Sequence, residues 1–138
     1  MLTDINIWAV LAAGLSAFLL GGIWYSPLLF VNTWCKEAGV VCGEPKKGEP
    51  KKGHKPLVFI FAIILSIIAA YAFAKFLGPV PSLKYAVIWG FITGACFVAT
   101  SFGINYLFAG RSMKLFLIDA GYHILQFTLY GVILGLWH

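Results

Sequence analysis

Charge is what this sequence has least of. Only 11% of its 138 residues are Asp, Glu, Lys or Arg, while 61% are hydrophobic; soluble domains carry roughly 25% and 45 to 50%. A soluble fold of this length could not hide so much apolar surface. Cysteine is also scarce. Cys35, Cys42 and Cys96 are too few for a disulfide framework, and they are expected to be free thiols. The spacing of Cys35, Cys42 and His54 matches no C-x-x-C metal pattern, so neither a metal site nor a cofactor is read. No long apolar/polar alternation is present, which excludes a membrane β-barrel. A basic leader is missing too: the first apolar run follows Thr3 and Asp4 and is longer than the apolar part of a secretory signal, so it is expected to stay in the mature protein.

What is present is four long apolar runs. A helix needs roughly 20 residues to cross a hydrocarbon core of about 30 Å, and each run is long enough. The fold class expected is therefore an all-α polytopic membrane protein, a single domain over 1–138 forming a four-transmembrane-helix bundle. Its helices are expected at about 5–30, 57–78, 83–108 and 113–137. Helices satisfy every backbone group within lipid, which an open sheet cannot do.

The lysines give the chain a direction. Lys36, Lys46, Lys47, Lys51, Lys52 and Lys55 lie between the first two runs, and Arg111 and Lys114 lie between the last two. Those two loops share one side of the membrane, while the other side has only Lys75 and Lys84. The positive-inside rule then puts the Lys-rich loop in the cytoplasm and both termini outside, in the inner membrane if the source is bacterial. Within that loop Glu44-Pro45-Lys46-Lys47-Gly48 is followed at once by Glu49-Pro50-Lys51-Lys52-Gly53. Pro, Gly and Lys without apolar anchors form no core, so 43–56 reads as a flexible linker. It is either a solvated loop enforcing topology or a tether to anionic lipid. The positive charge sits in a loop rather than along a helix face, which argues against nucleic acid as a partner.

Small residues mark the packing faces. Ala13, Ala17 and Gly21 recur every four residues in the first run, and Ala62, Ser66, Ala70 and Ala74 in the second. Gly90 and Gly94 form a GxxxG pair in the third, and Gly131 and Gly135 another in the fourth. Such faces let helices approach closely within the molecule or across a homodimer axis. Thr3 or Asp4, Ser82 and Ser112 are candidate caps. Gly78-Pro79-Val80-Pro81 should turn the second helix into an antiparallel hairpin with the third. Pro27 should kink or end the first helix by depriving the Ile23 carbonyl of its donor, and residues 31–42 suit a brief interfacial helix led by Trp34.

The segment Gly22-x-Trp24-Tyr25-Ser26-Pro27-Leu28-Leu29-Phe30-x-x-x-Trp34, with Ile118-Asp119-x-Gly121-Tyr122 downstream, resembles the bacterial DUF1761 family of small integral membrane proteins. Val31 stands where that pattern leads one to expect a glycine. The resemblance covers most of the chain and implies a four-helix membrane fold, with no activity attached. A fainter echo is internal: Gly22-Ile23-Trp24-Tyr25 against Gly103-Ile104-Asn105-Tyr106, as a duplicated two-helix hairpin would leave.

The candidate site lies on the last run. Asp119, His123, Gln126 and Tyr130 are spaced to share one stripe of a helix. Asp119 falls roughly 9 Å and His123 roughly 15 Å from the helix start. Trp24, Tyr25 and Asn105 reach a similar depth from the ends of their own helices, and Tyr122 is adjacent. Ser101 shares a side with Asn105, although Thr100 and Ser101 are expected to bond their own backbone. An Asp within a membrane helix costs roughly 2.5 to 3.5 kcal/mol on insertion scales, so it should face protein or water. Asp119 either pairs with Arg111 or Lys114 and locks the bundle, or serves with His123 as a titratable pair that binds or transports a small solute or proton. The alternative class is a structural or regulatory protein assembling with a partner through the small-residue faces. No nucleophile accompanies the imidazole at recognisable spacing, so no catalytic residue is assigned and an enzyme is the least favoured reading.

Overall fold

The computed structural model describes residues 4–42, 47–48 and 54–138. Its helices are α1 (Ile7–Trp24), α2 (Val31–Ala38), α3 (Pro56–Leu77), α4 (Leu83–Ile92), α5 (Ala99–Phe108) and α6 (Met113–Leu136), with a π-helical turn, Thr93–Val98, joining α4 to α5. Four helical runs, α1, α3, α4 through α5, and α6, are long and apolar enough to cross a membrane. The chain is thus an all-α bundle. Most of the expected linker, including the tandem repeat apart from Lys47 and Gly48, lies outside the described residues.

Local chemistry sets the boundaries. Asn6 caps α1, its Oδ1 accepting from the Trp8 and Ala9 amides at 3.1 and 3.3 Å; this replaces the expected cap at Asp4, while Thr3 lies outside the described residues. The helix stops at Trp24 rather than near residue 30. Pro27 has no N–H to give the Ile23 carbonyl, which instead accepts from the Ser26 amide at 3.2 Å and its hydroxyl at 2.6 Å. Val31, where a glycine was expected, opens α2, so no left-handed turn is needed there. Ser82 and Ser112 cap α4 and α6 as expected, accepting from the Tyr85 and Leu115 amides.

Two expectations are corrected. Cys35 and Cys42 are joined in a disulfide, their Cα atoms 5.8 Å apart, and only Cys96 is free. Gly39 ends α2 at a φ of 70° and turns the chain back, bringing Cys42 over the last helical turn. The spans α3 and α4 do follow one another through a short turn, but they do not pack as a hairpin. The main neighbour of α3 is α1, and that of α4 is α6; α3 and α4 meet through the edge-to-face pair Phe76 and Trp89. The reason lies in the small residues. Ala9, Val10, Ala13 and Ala17 of α1 share a core with Ala70, Phe73 and Ala74 of α3. A Cβ on Gly90 would meet the Phe127 carbonyl, and one on Gly94 would lie 2.6 Å from the Ile124 Cα. Reciprocally, a Cβ on Gly131 would meet the Ala86 carbonyl, and one on Gly135 would lie 2.8 Å from the Leu83 Cα. Both GxxxG pairs are used by one another, and α6 becomes the central helix.

The π-helical turn resets the register of the third span. Buried positions run Ala86, Gly90 and Gly94 at intervals of four, and the next is Ala99, five further on. One extra residue in the turn rotates everything after it by about 100°. Phe102 and Tyr106 therefore swing onto α6, and Ser101 and Asn105 swing outward and are exposed.

Candidate functional site

Asp119 sits on the central helix with only 8% of its surface exposed. Tyr25, just past the end of α1, donates its hydroxyl to Oδ1 at 2.6 Å. Tyr106 of α5 donates to Oδ2 at 2.5 Å. Three chain segments thus meet on one carboxylate. Trp24 braces the same level, its indole N–H donating to the Ile118 carbonyl at 2.9 Å. A Cβ on Gly121 would lie 3.0 Å from that indole, so the glycine makes room for it. Tyr122 reaches the other way and donates to the Ala17 carbonyl at 2.9 Å, its ring filling the space over Gly21. A ring of aromatics closes the site on the α2 side: Trp34 packs edge-on to Tyr25 at 5.7 Å, and Tyr25 tilts against Tyr122 at 5.6 Å.

The expected stripe therefore divides in two. His123 does not hydrogen-bond Asp119; its Nδ1 lies 2.6 Å from Gln126 Oε1. Gln126 Nε2 donates to the Tyr130 hydroxyl at 2.7 Å, and that hydroxyl donates to the Ser66 carbonyl of α3 at 2.9 Å. The direction of this chain is set at its far end, because a carbonyl can only accept. Tyr130 must spend its proton there and accept from the Gln126 amide, which leaves Oε1 facing His123. Nδ1 is then the protonated nitrogen of the neutral imidazole, and Nε2 carries the lone pair. The ring is held flat against Phe102 at 4.9 Å and edge-on to Tyr122. Side-chain ¹⁵N shifts of His123 should report the Nδ1–H tautomer, and Gln126→Leu should release it toward the usual Nε2–H form. An Nε2–H signal in the unmodified protein would refute the chain's direction.

Of the residues expected at the site, Trp24, Tyr25, Tyr122 and Asp119 come together, and His123 and Gln126 form the adjoining chain. Asn105 does not join: it is exposed and its side chain forms no hydrogen bond among the described residues. Arg111 and Lys114 are exposed, and neither forms an ion pair with Asp119. Thr100 and Ser101 bond the carbonyls of Cys96 and Phe97 in their own helix, as expected. Tyr106 is the residue that sequence reading missed. Its signal was the internal echo, in which Tyr106 occupies the place of Tyr25; the two echoing tyrosines hold the two oxygens of one carboxylate. A shallow hollow near the start of α1, lined by Asn6, Ala74, Leu77, Pro79, Leu134 and Trp137, is at the opposite end of the bundle.

No curated protein and no solved structure matches the chain. A family model, described as a protein of unknown function, matches residues 8–135, which covers all but the end residues of the four spans and includes Tyr25, Tyr106 and Asp119. The chain belongs to the DUF1761 family.

Proposed function

We propose that this is a multi-pass membrane protein whose Asp119 site takes up and releases a proton, with His123 as the second titratable group on the path. The observation that carries the reading is a nearly buried carboxylate, within a membrane-spanning helix, held by two phenolic hydroxyls and, among the described residues, by no cationic side chain. Ionisable residues within membrane spans commonly pair with a residue of opposite charge or with backbone groups. Phenols instead leave the net charge of the site to the carboxylate itself, so gaining or losing a proton changes it outright. His123 Nε2, which has no hydrogen-bond partner among the described residues and is not sealed from its surroundings, offers an acceptor one turn along α6. The Lys-rich loop faces the cytoplasm in this reading, with both termini outside, and the titratable stripe opens from that side.

The test is proton flux into liposomes driven by a potassium diffusion potential. The parent protein should exceed protein-free liposomes, and Asp119→Asn should fall to that background while eluting as a monodisperse species. No flux in the parent, or full flux in the variant, overturns the reading. A second reading, a tie that only holds helices in register, is favoured by the donor that each carboxylate oxygen has from a different segment. It requires Asp119→Asn to lower thermal stability, with no flux in either protein. Assembly with a partner through small-residue faces would have to use faces other than the two GxxxG pairs, which pack against one another within the chain.

A further inference from the structure

The geometry points to Cys35 and Cys42 as a reversible redox pair that exchanges with a small anionic disulfide of the glutathione class on the cytoplasmic side. This rests on the orientation proposed above and not on proton transfer. A bond between these residues is sterically natural: their Cα separation of 5.8 Å lies in the range disulfides use. Yet the Lys-rich side, by the positive-inside rule, is the reducing side, where disulfides are transient rather than structural. A pair preformed for bonding there is suited to opening and closing.

The two thiols differ as such a pair requires. Cys42 is exposed and Cys35 is 7% exposed, under the chain that Gly39 turns back. Cys42 can be reached by a soluble disulfide, and Cys35 is placed to resolve it. The Cys42 thiolate attacks one sulfur of the small disulfide, whose S–S bond breaks and releases one thiol. The Cys35 thiolate then attacks Cys42 Sγ, breaking the mixed disulfide and releasing the second. Two electrons pass from the protein to the small disulfide, and the two cysteine protons end on the released thiols. Among the described residues Lys36, Lys47 and Lys55 flank the pair against Glu37, a balance that suits an anionic reagent. The pair also borders the site: Trp34, next to Cys35, contacts the Tyr25 ring whose hydroxyl holds Asp119.

The experiment uses full-length Cys96→Ser, so that only the pair is read, in intact cells treated with N-ethylmaleimide or a membrane-impermeant sulfonated maleimide. Two labels should be gained from the permeant reagent and none from the impermeant one, and both should be lost after diamide, which converts cellular glutathione to its disulfide. Adding Cys35→Ser should leave one label, replaced after diamide by the mass of one glutathione. Labelling by the impermeant reagent would overturn the proposal together with the orientation. Absence of label until a reductant is added would mean a permanent disulfide, and label unchanged by diamide would mean a pair that does not close. Either result overturns the redox pair while leaving the proton reading untouched.

Discussion

Gly131→Val should abolish most of the folded protein, whereas Gly22→Ala should leave it intact or slightly stabilised. Both residues lie in membrane-spanning helices, and replacing glycine inside a helix ordinarily helps by roughly 0.5 to 1 kcal/mol. The surroundings decide the sign. Nothing among the described residues lies within 4 Å of a Cβ placed on Gly22, so the propensity gain stands alone. At Gly131 the added carbon would overlap the Ala86 carbonyl, with the Val87 Cα 3.0 Å away. Both belong to helix backbone and cannot rotate aside, so α4 and α6 must separate along their whole contact. Overpacking of this kind costs about 1 to 3 kcal/mol even where side chains can yield, and valine adds two further methyls. The fraction of detergent-solubilised protein eluting as folded after a heating step should collapse for Gly131→Val and match or exceed the parent for Gly22→Ala. Equal behaviour of the two variants would remove the close glycine contact as the device that sets the α4–α6 distance.

That contact explains which parts of the fold were legible. Spans are legible because the bilayer demands long apolar runs, and seven of the eight expected starts and stops fall within a residue or two of the observed helices. The exception is the end of α1, where Pro27 was seen but the helix was carried past it. Pairing of spans is harder to read, since a small-residue face shows that something packs closely without saying what. Gly90 and Gly94 suited α3 as well as α6 on spacing alone. Only the matching pair at Gly131 and Gly135, read as the reciprocal surface, singles out α6.

Asn105 and Tyr106 show a different limit. A continuous α-helix that buries Gly90 and Gly94 would turn Ser101 and Asn105 toward α6, and polar residues on that face look like a site. A single π-helical turn, with no Pro or charged residue to announce it, moves the face by one position and substitutes Phe102 and Tyr106. Such turns gather where function needs an irregular register, and here the turn faces the His123 and Ile124 backbone through Gly94. The pairing of Cys35 with Cys42 was illegible for a related reason: their proximity depends on the turn at Gly39, which spacing does not reveal.

The double variant Tyr25→Phe/Tyr106→Phe should be destabilised by more than the two single variants together, and Asp119→Leu should rescue it. Each hydroxyl donates to its own carboxylate oxygen, so either single variant leaves the carboxylate one donor. Removing both leaves a nearly buried acid with none. Interhelical hydrogen bonds between neutral groups in membranes average about 0.6 kcal/mol, while those to charged groups are worth about 1.5 to 3 kcal/mol. The single variants therefore report the state of Asp119: a loss near the lower figure means a protonated carboxyl, and one near the higher range an ionised one. In the Asp119→Leu background the phenols have no acceptor to serve, and the two Phe substitutions should be close to neutral. Unfolding in mixed micelles at increasing mole fraction of sodium dodecyl sulfate, read across this cycle, gives the coupling energy directly. Additive losses, or a triple variant no more stable than the double, would mean that the hydroxyls act independently of the carboxylate, and no loss in any of the variants would mean that the tyrosines act through the rings that phenylalanine keeps against Trp34, Tyr122 and Phe102.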